Sequence, residues 1–332
     1  MHETPLSIVH CANFSEKRYG QVYYSTDRKI SNGLLRNGHF VQNFSYRDVA
    51  RNERALGIKK VGIKRMNERL IKTVNTLSPD LLLLGHSELV QNDTLKEIKK
   101  QHPDIKLAMW WVDWLPNMLK KRAFFHERLE FLDYTFLTTD PSVFAAEFPI
   151  QNDKKKLVYM PNICDSSIET GKAYLNKSFD YDLVFIGRPD NARSKLVNVL
   201  RKEIADINLG VFGQTKETLL LGENYISVLS KSFMALNYSR DNSIPLYSSD
   251  RIIHSTGNGC LTHTPGTPKM REIFSEDEVV YFHNLEQLIE NIRDSLNDKD
   301  RALEIARNGH RKAHEKYNSK IITNQILEVI FR

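Results

Sequence analysis

Residues 248–282, SSDRIIHSTGNGCLTHTPGTPKMREIFSEDEVVYF, constrain the fold most, because apolar runs of two different lengths alternate there with Gly and Thr-Pro punctuation. The stretch predicts helix, strand, loop, helix, strand, the order of an α/β layer built on a parallel sheet. Ser248 or Ser249 offers a hydroxyl N-cap for a helix over 251–256, and Gly257 and Gly259 supply the positive φ that ends it. Residues 260–262 are expected to form a short buried strand. Gly266, Thr267 and Pro268 then read as hinge, cap and first helical residue of a helix over 269–274. The free N–H groups of such a helix start, with Lys269 beside them, suit a phosphate or diphosphate, and Glu272 is a carboxylate near the same loop.

The same alternation extends along all 332 residues, a length that accommodates two α/β domains. Residues 6–12 predict a first strand, 23–36 a helix closed by Asn37-Gly38, and 39–44 a second strand: a βαβ unit. Residues 61–77 are amphipathic. The unbroken apolar run 81–84 after Pro79-Asp80 predicts a central parallel strand ending in Gly85-His86-Ser87-Glu88. Further strands are expected over 105–112, 131–137 and 156–160, and Thr138-Thr139-Asp140-Pro141 ends one of them in polar residues that can cap a helix. From 164 to 181 the chain turns polar and reads as a linker. A second sheet opens with DLVFIG at 182–187, continues at 208–212 and 233–237, and a helical pattern fills 319–331.

Composition excludes several classes. Hydrophobic residues at 41% and charged residues at 27% describe a globular chain. Cys11, Cys164 and Cys260 are too far apart for a metal site and odd in number, which fits a reducing cytosol. The N-terminal apolar run is too short for a signal peptide, and no transmembrane span is expected. The net charge of +6 suits an anionic substrate or an anionic membrane face. Nucleic acid is the weakest partner, since no arginine-aromatic reading motif occurs.

With Arg251, Gly257 to Cys260, Glu272 to Phe274, Glu278 to Tyr281 and the tail LEQLIENIRDSLND…ALEIARNGHRKAHEKYN, the second half resembles nucleotide-sugar glycosyltransferases of the glycosyltransferase-B fold. The likeness is nearest to the spore-maturation-protein (CgeB-like) group, with a family-1/4-like C-terminal domain. It implies two Rossmann-like domains facing each other across a cleft: an acceptor domain over 1–163, the linker 164–181, a donor domain over 182–317, and a C-terminal helix over 318–332 that crosses back to the first domain. It further implies transfer of a sugar from a nucleotide-sugar co-substrate to a glycan or glycolipid hydroxyl, in surface polysaccharide or glycoconjugate synthesis. No other cofactor is implied. The expected location is cytoplasmic, with weak attachment to the inner membrane face. The same fold leaves open a nucleotide-sugar epimerase, or a sugar-binding protein without activity.

Candidate site residues sit where strands end. Gly187 and Gly213 follow strands of the second sheet and allow close backbone approach. Arg188 and Arg193 come next; the resembling group carries an arginine near position 193, and a guanidinium there would either clamp diphosphate oxygens or belong to a solvated helix residue. Arg251 matches the arginine of the group's pattern. His254 stands where the broader family has a ribose-binding glutamate, so a single ribose hydrogen bond and a structural role are both open. Asp113 is either the acceptor-side base, an orienter of the acceptor sugar or a structural cap, with His86 the rival base. Trp111 and Trp114 either stack on sugar or pack in the core, and Asn13 opens an acceptor loop. No Asp-x-Asp follows a strand, so no metal is expected.

Overall fold

The structure, a computed structural model, describes residues 4–112, 122–148 and 156–332. Asp113 and Trp114 lie outside the described residues. Two compact units divide the chain: Met1–Met160 with Ser319–Arg332, and Pro161–Asn318.

The first unit is a parallel sheet of β1 (Ser7–Ala12), β2 (Phe40–Ser45), β3 (Leu81–Gly85), β4 (Lys106–Trp111), β5 (Tyr134–Leu137) and β6 (Lys156–Tyr159). The strand order is β2-β1-β3-β4-β5-β6. Its helices are α1 (Thr26–Arg36), α2 (Tyr46–Asn52), α3 (Lys59–Leu77), α4 (Asn92–Gln101), α5 (Arg122–Phe131) and α6 (Pro141–Glu147). Leu81 to Leu84 are fully buried, because a parallel strand covered on both faces has no polar side. Asp140 caps α6 by accepting the Ser142 N–H at 2.9 Å.

The second unit contains β7 (Tyr181–Ile186), α7 (Asn191–Glu203), β8 (Leu209–Phe212), α8 (Glu223–Ser230), β9 (Ser232–Leu236), α9 (Arg251–Gly257), β10 (Leu261–Pro265), β11 (Val280–Phe282), α10 (Leu285–Asn297) and α11 (Lys299–Lys316). The parallel strand order is β11-β10-β9-β7-β8. Leu183, Phe185, Phe233, Leu261 and Phe282 pack on Leu196, Leu200, Leu288 and Ile292 of the covering helices. The last helix, α12 (Ser319–Phe331), returns to the first unit and lies on α1. There Gly33 is a contact surface: a Cβ would stand 2.1 Å from the Ser319 carbonyl oxygen. Among the described residues no helix is long and apolar enough to cross a membrane.

The stretch 248–282 departs from expectation in detail. Asp250, not a serine, occupies the N-cap of α9, and no side chain caps it. Gly259 has φ of +78°, but Gly257 is helical, where a Cβ would meet Glu169 Cγ at 2.9 Å. The strand runs Leu261–Pro265, later than 260–262, because Cys260 still completes the turn: its N–H bonds the Ser255 carbonyl. No α-helix follows. Thr267 N–H bonds Pro265 and Lys269 takes φ of 61°, so only a three-residue 3₁₀ turn, Met270–Glu272, forms. It has too few aligned peptides for a useful dipole.

The segment 164–181 is not an open linker. Cys164, Asp165 and Glu169 are fully buried, Cys164 bridges to Asn318, and Gly171 N–H bonds Asn258 Oδ1 at 3.0 Å. Its buried carboxylates Asp165 and Glu169 meet protein partners instead of water, while Lys172, Lys177, Ser178 and Asp180 are exposed.

Candidate functional site at the strand-order switch points

In each sheet the chain reverses its direction of strand addition once, between β1 and β3 in the first unit and between β7 and β9 in the second. Open parallel sheets bind ligands beyond the carboxyl ends of the strands at such a point, since the loops there diverge to opposite faces.

In the second unit β7 delivers Gly187 and β9 delivers Asn237, Tyr238 and Ser239 to this rim. Asp190 caps α7 by accepting the Arg193 N–H at 2.9 Å, which fixes the first turn and the Arg193 side chain. Arg193 Nε donates to the Tyr238 carbonyl at 3.2 Å, and Nη1 to the Arg188 carbonyl at 3.2 Å. From α9, Arg251 Nη2 donates to the same Tyr238 carbonyl at 2.9 Å. Two guanidiniums therefore converge on one oxygen. Burial, and after it the charge of Arg251, hold the Arg193 group down to about 10, and Asp190 at 3.5 Å is its nearest anion. Burial also lowers Arg251, whose guanidinium lies 5.7 Å over the Phe185 ring. Its buried Nε has no hydrogen-bond partner among the described residues. Excess positive charge in a partly desolvated site favours an anion.

The glycines make room. Gly213 has φ of +80° and a Cβ there would sit 3.2 Å from the Gly187 carbonyl oxygen; a Cβ on Gly187 would stand 3.5 Å from Arg251 Nη1. Gln214 Nε2 closes the β7 and β8 ends by donating to Gly187 O at 2.7 Å. Asn237 bonds Ser248 Oγ at 2.9 Å and Thr264 Oγ1 at 3.0 Å, tying β9 to β10.

The structure thus brings together Gly187, Arg193, Gly213 and Arg251, and leaves others apart. Arg193 is buried, not a solvated helix residue, while the Arg188 side chain is exposed. His254 is buried at 2% exposure with Nδ1 2.7 Å from Glu169 Oε1, which accounts for it as a structural partner of that carboxylate and not as a ribose contact. Lys269 and Glu272 are exposed, Thr267 is buried, and Gly266 abuts the His283 ring, where a Cβ would approach to 2.4 Å. A groove of about 500 Å³ flanks β11, lined by Arg271 and Arg301 but also by Glu276, Asp294 and Asp298. Its carboxylates offset its cations, so the groove carries no surplus of positive charge.

In the first unit β1 ends in Asn13 and β3 in His86 and Ser87, whose φ values of 54° and 36° are left-handed. Ser87 Oγ joins the two strands by donating to the Cys11 carbonyl at 2.7 Å. His86 Nε2 accepts the Val112 N–H at 3.3 Å, which ties the ring to the end of β4. Trp111 is 1% exposed, stacked on His86 at 4.0 Å and edge-on to Phe125 at 4.5 Å, so its ring is core and not a sugar platform. Asn13 donates its N–H to Asp27 Oδ1 at 2.8 Å, and Glu16 N–H donates to Asp48 Oδ2 at 2.8 Å. Burial raises the Asp27 carboxyl to about 6. Among the described residues no group of three His, Cys, Asp or Glu side chains is placed to hold a metal ion.

Sequence reasoning missed Asp190, Asn237, Tyr238, Glu169 and Asp27. Asp190 before Asn-Ala-Arg-Ser carried a cap signal, and Asn-Tyr-Ser-Arg after an apolar run marked the β9 rim. Glu169 and Asp27 carried none, because their partners are 85 and 14 residues away.

Residues 193–328 match the protein family described as glycosyl transferase-like. No curated protein matched the chain. An α-glucosyltransferase solved with UDP-glucose and DNA containing an abasic site superposes with a TM-score of 0.67 at 13% identity, covering 98% of this chain and 99% of that one. A sucrose-phosphate synthase from Thermosynechococcus elongatus gives 0.60 at 11%, covering 97% and 98%. The Anabaena protein HepE in complex with UDP gives 0.58 at 11%, covering 98% and 99%. Residues 193–328 are therefore similar to glycosyl transferase-like proteins, in a chain whose two parallel-sheet α/β units have the fold of the glycosyltransferase-B enzymes.

Proposed function

We propose that the chain moves a sugar from a nucleotide-sugar donor, bound by the second unit, to a hydroxyl of a glycan or glycolipid bound by the first, without a metal ion. The observation that carries this reading is the convergence of Arg193 and Arg251 on the Tyr238 carbonyl at the β7/β9 switch point. As the bond from the sugar C1 to the diphosphate oxygen breaks, the leaving nucleoside diphosphate gains negative charge. Guanidiniums fixed beforehand stabilise that charge without reorganising. The acceptor oxygen forms the new bond to C1, and its proton goes to a carboxylate; Asp113 remains the candidate. The complexes of similar folds with UDP and UDP-glucose make uridine nucleotides the first donors to try. The product would be a surface polysaccharide or glycoconjugate, made at the cytoplasmic side with the enzyme held weakly on the membrane. Spore maturation is one setting.

The test is nucleotide binding by calorimetry, followed by transfer. Arg193→Ala and Arg251→Ala should each weaken UDP-sugar binding or slow turnover by about tenfold to a hundredfold, the loss of one charged hydrogen bond. Asp113→Asn should keep nucleotide affinity and lose transfer. Native affinity and turnover in both folded arginine variants would overturn the donor site. Free nucleotide released from the wild type without acceptor elongation would indicate an epimerase.

A further inference from the structure

The surplus positive charge of this protein is concentrated in one place. Residues 51–72 hold eight lysines and arginines against two glutamates, an excess equal to the net charge of +6 of the whole chain. The rest of the sequence is neutral by the same count. Six of the eight cations lie on α3; Arg51 belongs to α2, where it pairs with Asp48 at 3.3 Å, and Arg54 stands between the two helices. Met66, Leu70 and Val74 are fully buried and fix the inner face of α3, so Lys59, Lys60, Lys64, Arg65, Arg69 and Lys72 are turned outward and exposed.

Local pairing does not account for these cations. Arg69 meets Glu53 at 2.9 Å and Lys64 meets Glu68 at 3.9 Å, whereas Lys59, Lys60, Arg65 and Lys72 make no ion pair among the described residues. Helix stability does not account for them either. The first turn of α3 holds two lysines and no acid, and cations at a helix N-terminus oppose the macrodipole. Ile58, the N-cap, adds an aliphatic side chain 49% exposed at the same end.

We propose that the outward face of α3, with Ile58 at its head, is the surface by which this protein lies on an anionic membrane. The reading deepens the membrane attachment proposed above and does not depend on sugar transfer. Charge complementarity requires a polyanion. An aliphatic side chain among lysines fits a headgroup layer, where it reaches the acyl boundary while the cations stay with the phosphates. A nucleic-acid strand is the poorer occupant, because α3 contains no aromatic ring on which a base stacks.

Sedimentation of the full chain with phosphatidylcholine vesicles containing phosphatidylglycerol, beside pure phosphatidylcholine, tests the assignment. Binding is expected only to the anionic vesicles at about 0.01 M salt, and is lost near about 1 M, where screening shortens to about 3 Å. The triple variant Lys59→Glu, Lys60→Glu, Lys64→Glu should lower partitioning by about a hundredfold or more, and Ile58→Ser by a few fold. Acids at the first-turn positions 59 and 60 suit the helix, and Lys64→Glu gives up only the exposed pair with Glu68, so the triple variant stays folded, which its circular-dichroism melt checks. Lys202→Glu with Lys216→Glu, exposed in the second unit, should leave binding unchanged. No binding at low salt, or equal binding by the triple variant, overturns the proposal. So does binding of duplex DNA that the triple variant loses when vesicles are not bound at all. None of these outcomes touches nucleotide binding, so a failure here and a failure of the transfer reading are told apart.

Discussion

Asp27 shows what a single side chain contributes to the first unit. Its carboxylate accepts the Asn13 N–H and, with Asp48 holding Glu16 N–H, fastens the loop that leaves the central strand β1. Burial raises its folded pKa to about 6, above the ordinary 3.8. The sign follows: the folded state favours the protonated form, so the associated stability is complete below about pH 4 and is lost as pH rises through about 6. Between pH 4 and 8, therefore, the stability of the wild type relative to Asp27→Asn should fall by roughly 2–3 kcal/mol. Denaturant titrations of both proteins across that range check it; parallel curves would mean that Asp27 is no harder to ionise than a surface carboxyl. Glu169 works on the same scale in the second unit. It joins His254 to Asp165, whose N–H bonds Glu169 Oε2 at 2.7 Å, and so ties α9, the helix that carries Arg251, to the segment 164–181. No local pattern announces such a residue, since a buried carboxylate is defined by its distant partners.

At the scale of elements, α1 and α12 depend on a single missing side chain. Gly33 faces the Ser319 carbonyl and Thr323 Oγ1, where a Cβ would stand at 2.1 and 2.7 Å. Around it Arg36 Nη1 bonds Ser319 Oγ at 2.8 Å and Asn37 Nδ2 bonds the Lys320 carbonyl at 2.8 Å. Alanine is the better helix former, so in an isolated helix Gly33→Ala would help. Here backbone, not a pliable side chain, blocks the methyl. The expected result is a loss of about 1–3 kcal/mol by chemical denaturation, the range for overpacking. A neutral or stabilising outcome would show that α12 can move off α1 without cost. The Gly-Thr-Pro turn makes the opposite point. Its residues promised a helix start, but Lys269 in the left-handed region and the Thr267 bond to Pro265 stop it after one 3₁₀ turn.

Across the whole molecule the chain begins and ends in the same unit. Ile322, Ile326, Leu327 and Ile330 of α12 are buried there, although 158 residues of the other unit separate them from Met160. Truncation after Asn318 should accordingly lower protection of the α1 amides in hydrogen exchange while amides of β7 and β9 keep theirs. Equal loss in both units would show that α12 supports the chain as a whole. The sequence by itself determined the class and order of the elements. Leu81–Leu84, the DLVFIG strand and the helix 319–331 are visible because apolar period is a local property, set by which faces a strand or helix buries. It also pointed to Gly187 and Gly213 through their places at strand ends, and to Arg193 and Arg251 through the resemblance to nucleotide-sugar glycosyltransferases. Only the tertiary structure decided that Arg193 and Arg251 share the Tyr238 carbonyl, that Trp111 belongs to the core, that Asp165 and Glu169 of the segment 164–181 are buried, and that His254 answers to Glu169. Each of those facts is a pairing between groups distant in the chain. Charge, burial and hydrogen-bond satisfaction are set by which neighbours packing supplies, and no local window of sequence contains them.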